Sequence, residues 1–124
     1  SSKRSYYMTA QDNNTEQDNN VATLEKIKNQ IADNQVLLYM KGKPQAPQCG
    51  FSATAVKALA ECGVAFAFVN ILDNPDIRAN LPAHSNWPTF PQLFIKGELI
   101  GGSDIISEMQ QNGELAELLK DITN

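Results

Sequence analysis

At 124 residues, 42% apolar and 19% charged, the chain suits one soluble globular domain that buries a core without disulfide staples. A formal net charge of −4 excludes the basic surface that nucleic acid requires, and no apolar run approaches the ~20 residues of a membrane span. Two cysteines, Cys49 and Cys62, are too few for a disulfide framework and read as thiols in a reducing compartment, and no secretory signal is visible.

Residues 1–20 are expected to form a disordered tail, because Gln11 to Asn20 is almost wholly polar and offers nothing to bury. Within it, Ser1 to Tyr7 reads as a non-native remnant ahead of a native Met8. The alternative is the stub of a cleaved targeting peptide, since the stretch is basic and lacks acids. The folded domain is expected over residues 21–124. Val21, Leu24, Ile27 and Ile31 share one helical face, with Asn20 as the expected N-cap. Val36 to Met40 is a continuous apolar run of the kind found in buried central strands. A loop follows over Lys41 to Gln48, punctuated by Gly42, Pro44 and Pro47.

The next helix is expected from Gly50 to Cys62, stopped by Gly63. Val64 to Ile71 reads as a second strand. Pro75 opens a short helix that Pro82 should end, leaving His84 in a loop with no assigned role. Gln92 to Lys96 and Leu99 to Ile100 flank Gly97-Glu98, read as a tight hairpin turn. Ser103 is placed as the cap of a helix from Asp104, and a last helix should run from Glu114 to Ile122. The order predicts an α/β, thioredoxin-like fold: a four-stranded mixed sheet flanked by helices on both faces, the first two strands parallel and the last two an antiparallel hairpin.

Three constellations carry chemistry. In Cys49-Gly50-Phe51-Ser52 a thiol stands at a helix N-terminus, where unpaired backbone N–H groups and the helix dipole favour the thiolate as nucleophile or metal ligand. Ser52 occupies the place of the second cysteine in a redox pair, one helical turn on and facing Cys49, so no local disulfide can form. Cys62 sits about 19 Å away along the same helix, too far to pair within one domain, and reads as a core residue. In Trp87-Pro88-Thr89-Phe90-Pro91, a cis peptide before a strand would leave backbone groups free to pair with an extended peptide. In Gly101-Gly102-Ser103-Asp104, two glycines and a helix N-terminus can receive a carboxylate. Asp76 and Arg78, on the helix opened by Pro75, read by themselves as solvated charges.

Together with Leu37 to Gly42 and Asn74 to Arg78, these motifs resemble the monothiol glutaredoxins of the C-G-F-S type, over about residues 21 to 122. The resemblance is to the short, single-domain form of bacteria and organelles. It implies a cis peptide at Pro91 and glutathione lying in a groove, its cysteinyl backbone paired at Phe90. Its carboxylates would be held by Lys41, by Arg78 and by backbone N–H groups around Gly102 and Ser103, with Asp104 facing its ammonium. It further implies a [2Fe–2S] cluster shared between two subunits, each contributing Cys49 and a bound glutathione, and hence a cluster-bridged homodimer. Implied partners are BolA-type proteins and apo iron–sulfur acceptors. The implied location is the cytoplasm, or an organelle matrix. The alternative is a glutathione-dependent disulfide oxidoreductase using one thiol, which family members of this type perform poorly. Two departures stand out. Lys43 replaces the usual Ser or Thr, and Ser103 replaces a frequent cysteine.

Overall fold

The computed structural model describes residues 19–122. The expectations for residues 1–18 lie outside this range. A helix over residues 19–33 (α1) already contains Asn20, so Asn20 is within the helix rather than its cap. The elements that follow are β1 (Val36–Met40), β2 (Gly42–Lys43), β3 (Ala46–Pro47), α2 (Gly50–Glu61), β4 (Ala67–Asn70), α3 (Pro75–Ser85), β5 (Gln92–Ile95), β6 (Glu98–Gly101), α4 (Ser103–Asn112) and α5 (Glu114–Leu119).

The main sheet has the order β4-β1-β5-β6. β1 pairs parallel with β4, Leu37 opposite Ala67, and α2 supplies the crossover. β1 pairs antiparallel with β5, Leu38 opposite Leu93, and β5 with β6. The architecture is the expected thioredoxin-like one. All five residues of β1 are buried because helices cover both faces of the strand. Strand periodicity then divides it between two cores. Val36, Leu38 and Met40 pack with Leu93, Ile95, Leu59 and Ile106 beneath α2, α4 and α5. Leu37 and Tyr39 pack with Phe94, Ile27, Ile77 and Leu81 beneath α1 and α3. The Tyr39 hydroxyl donates to Gln30 Oε1 at 2.8 Å, which satisfies this fully buried group and ties β1 to α1.

Several boundaries differ from the sequence reading. The segment Lys41 to Gln48 is not a plain loop but contains a two-stranded ribbon, Gly42 opposite Pro47. β4 spans Ala67–Asn70 rather than Val64 to Ile71, because it is an edge strand that, among the described residues, pairs only with Leu37–Met40. α3 runs through Pro82 to Ser85. Pro82 removes one N–H from the ladder, yet Ile77 and Leu81 stay fully buried. The helix stops instead at Asn86 in the left-handed conformation, and the Asn86 and Trp87 N–H groups donate to the Pro82 carbonyl. His84 is therefore in the last turn of α3, not in a loop. The hairpin turn is Lys96-Gly97, one residue earlier than read. Both residues have positive φ (51° and 84°), as a two-residue type I′ turn requires. Gly102, not Ser103, is the N-cap of α4, and α5 ends at Leu119. Among the described residues no helix is long and apolar enough to cross a membrane.

Candidate thiol site and groove

Cys49 is the N-cap of α2, with extended backbone (φ −150°, ψ 137°) and no side-chain cap. Its carbonyl accepts the Ala53 N–H at 2.9 Å, which opens the helix and leaves the first-turn N–H groups available to the sulfur. The Ser52 backbone N–H contributes most to holding the Cys49 thiol below the ordinary cysteine range. The Phe51 N–H, the Lys41 charge and the Ser52 hydroxyl add to it, against partial burial. Cys62, at the other end of α2, is the opposite case. It packs against the core, and burial, then the Glu61 charge, push its thiol up.

The ribbon before Cys49 is pinned from three sides. The Gln48 N–H donates to the Lys41 carbonyl at 2.9 Å, the Lys41 N–H to Ser52 Oγ at 3.0 Å, and the Gly42 N–H to Asn70 Oδ1 at 2.9 Å. Ser52 is fully buried. Gly42 has φ +94°, and a Cβ there would lie 2.7 Å from Gln48 N and 2.8 Å from the Ala46 carbonyl, so the close ribbon requires glycine.

A groove of about 670 Å³ runs from Cys49 between α3 and α4. The structure brings Lys41, Cys49, Arg78, Phe90, Gly102, Ser103 and Asp104 to its walls, joined by Phe51, Pro82, Trp87, Pro88, Thr89 and Ile105. Pro91 and Ser52 lie behind the walls, and the Phe90–Pro91 peptide is cis. Gly102 closes one side. A Cβ there would meet the Pro91 carbonyl and Trp87 Nε1, each at 3.3 Å. Among the described residues no carboxylate is within ion-pair distance of Lys41 or Arg78, so both cations face the groove with capacity for an anion. Ser103, buried at the first position of α4, and Asp104 beside it present the helix N-terminus. Asp76 points elsewhere. It accepts from Lys26 Nζ at 2.7 Å and Thr23 Oγ1 at 3.2 Å, joining α1 to α3, and the Lys26 contact holds its carboxyl below the usual range. Lys43 and His84 are exposed and do not line the groove.

Sequence reasoning assigned no ligand role to Phe51, Thr89, Pro82 or Ile105. Phe51 could have been found from the C-x-x-S spacing, since the residue two after an N-cap faces outward beside it. It is 62% exposed next to the thiol. Among the described residues no three His, Cys, Asp or Glu side chains converge as a metal site. The described residues thus bring one thiol, that of Cys49, to the mouth of the groove.

A thioredoxin-like sheet with a thiol at the start of the first crossover helix places the chain in the thioredoxin-like class of thiol-site proteins. The glutaredoxin family model matches residues 36–100, and the chain belongs to that family. With Cys49 and Ser52 in its C-x-x-S site, it is of the monothiol kind. It is similar to glutaredoxin 4 of Escherichia coli (strain K12), 65% identical over 99 residues that cover 80% of this chain and 86% of that protein. Its fold is similar to that of reduced poplar apo GrxS14 (TM-score 0.66, 45% identity, 80% of this chain and 88% of that one). It is also similar to the holo form of glutaredoxin C1 from Populus tremula x tremuloides (TM-score 0.74, 27% identity, 84% and 92%).

Proposed function

We propose that this chain carries and transfers a [2Fe–2S] cluster held between two subunits through Cys49 and glutathione. The observation that carries the reading is the donor set. Cys49 is the one thiol on the groove, Ser52 stands where a resolving cysteine would be, and the nearest other thiol is at the far end of α2. Four ligands then require a second chain and an external thiol on each.

Glutathione as the ligand of the groove is supported by the groove's size and by Lys41 and Arg78 on its walls. Bound there, it would supply a second thiolate beside Cys49. Lys41 and Arg78 would hold its carboxylates, helped by the N–H groups around Gly102 and Ser103, and Asp104 would face its ammonium. The Phe90 backbone would pair with its cysteinyl unit. The first-turn N–H groups of α2, that of Ser52 above all, and the Lys41 charge lower the Cys49 pKa and so favour the thiolate form that a ligand sulfur takes. A homodimer bridged only by cargo needs little protein–protein contact, so the cluster can pass to apo acceptors, with a BolA-type protein as an alternative second partner. The reading places the protein in a reducing compartment, the cytoplasm of a bacterium.

The acidified thiol also favours a second reading, reduction of glutathione mixed disulfides. The Cys49 thiolate would attack the glutathione sulfur, forming a Cys49–glutathione disulfide and releasing the substrate thiolate. A second glutathione thiolate would attack the glutathione sulfur of that disulfide, giving oxidised glutathione and regenerating Cys49. Anaerobic reconstitution with iron, sulfide and glutathione, read by visible absorption and size, separates the two. A coloured, glutathione-dependent dimer supports the carrier. A colourless monomer with fast disulfide turnover supports the enzyme and overturns the carrier.

A further inference from the structure

Gln92 is an anomaly in its strand. β5 reads Gln-Leu-Phe-Ile, all four residues are buried, and Gln92 is fully so. A core position beside Leu93 and Phe94 ordinarily takes an apolar side chain. Instead, Gln92 Nε2 donates to two main-chain carbonyls of the preceding segment, Trp87 at 3.0 Å and Thr89 at 3.2 Å. Its own Oε1 has no partner among the described residues. Leaving a buried carbonyl oxygen unpaired is unfavourable. Simple packing would remove that cost with an isosteric apolar residue, so what the side chain contributes is the pair of donated hydrogen bonds.

Those bonds act on the groove wall. Thr89 C=O and Phe90 N–H belong to one trans peptide, whose two polar groups point in opposite directions. Drawing the Thr89 carbonyl inward onto Gln92 therefore turns the Phe90 N–H outward along the wall. Among the described residues nothing accepts that N–H. The Trp87 carbonyl, held by the same amide group, fixes the other end of the segment, so Trp87, Pro88 and Thr89 are set as one unit.

We infer that Gln92 is the positioning residue of this wall: its side-chain amide aims the Phe90 N–H at the backbone of a peptide ligand without touching the ligand itself. The inference rests on the proposed binding of glutathione in the groove. Gln92→Met keeps length and buried volume while removing both donors, and Gln92→Glu keeps shape while replacing the donors with carboxyl oxygen. Losing one well-aimed neutral hydrogen bond to the ligand should weaken glutathione binding about three- to tenfold in titration calorimetry. The pH midpoint of Cys49 alkylation should not move, since Gln92 makes no contact with the thiol; a general loosening of the site would move both. A folded variant that binds glutathione like wild type overturns the inference. If the wild-type protein itself binds no glutathione, the functional proposal fails instead. Should neither variant fold, the wild type still decides. The Gln92 side-chain amide protons must exchange slowly with solvent, and rapid exchange overturns the assignment.

Discussion

Replacing Ser52 with alanine is expected to lower the stability of the fold and the acidity of Cys49 together. The side chain is fully buried, and its oxygen accepts the Lys41 N–H at 3.0 Å, just where the chain leaves β1 for the ribbon that carries Cys49. Alanine fills nearly the same space, so the cavity contribution is small. The dominant effect is a part-buried N–H left without its acceptor, about 1–3 kcal/mol. At about 4–8 °C per kcal/mol for a domain of this size, Tm should fall by at least about 4 °C. The second effect is on the thiol. The Ser52 hydroxyl helps to hold it low, but the Ser52 backbone N–H contributes most, and alanine retains that. The alkylation midpoint of Cys49 should therefore rise while staying below that of an ordinary cysteine. Scanning calorimetry and iodoacetamide rates against pH, in a Cys62→Ser background, read the two effects. A Tm within about 1 °C of wild type and an unmoved midpoint would refute the role given to the hydroxyl.

Four further outcomes are expected. In the wild-type chain, Cys49 should alkylate with a midpoint lowered, and Cys62 with a midpoint raised, relative to an ordinary cysteine; Cys49→Ser should abolish cluster binding while Cys62→Ser leaves it largely intact. Equal loss of iron from both would contradict the single-ligand site. Lys41→Ala and Arg78→Ala should each weaken glutathione binding in calorimetry and flatten its salt dependence, because the contacts would be exposed charge pairs that salt screens. Affinity equal to wild type in both rules out the groove assignment. Gly42→Ala should destabilise by about 2 kcal/mol or more, from positive φ and the clash with Gln48 and Ala46 backbone. Chemical denaturation showing no loss would mean that the ribbon is looser than described.

What the sequence disclosed depended on whether a signal was local. Val36 to Met40 announced itself as a central strand because both its faces are covered, and an unbroken apolar run records that directly. Cys49 could be placed at a helix mouth, since Pro47 before it and the apolar pattern after it are near neighbours. The continuation of α3 through Pro82 was not legible. It depends on Ile77 and Leu81 packing against β1 and Phe94, contacts made across the fold. The hairpin register was missed by one residue because nothing about Lys96 alone indicates positive φ. In the groove, the charged and glycine positions were readable by type, whereas Gln92 and Asn70 act through partners that only the folded chain brings near.

The division of β1 between two cores bears on what a ligand does to the molecule. Lys41, Cys49 and the start of α4 are seated on the α2 side, while Arg78 and the Trp87–Phe90 wall are carried by α3 on the other. The two layers meet through the sheet, and the groove opens along the seam at its end. Anything bound across it is a strap laced over that seam. Its binding free energy therefore counts against any opening that would part the two layers, so a ligand acts on the stability of both at once.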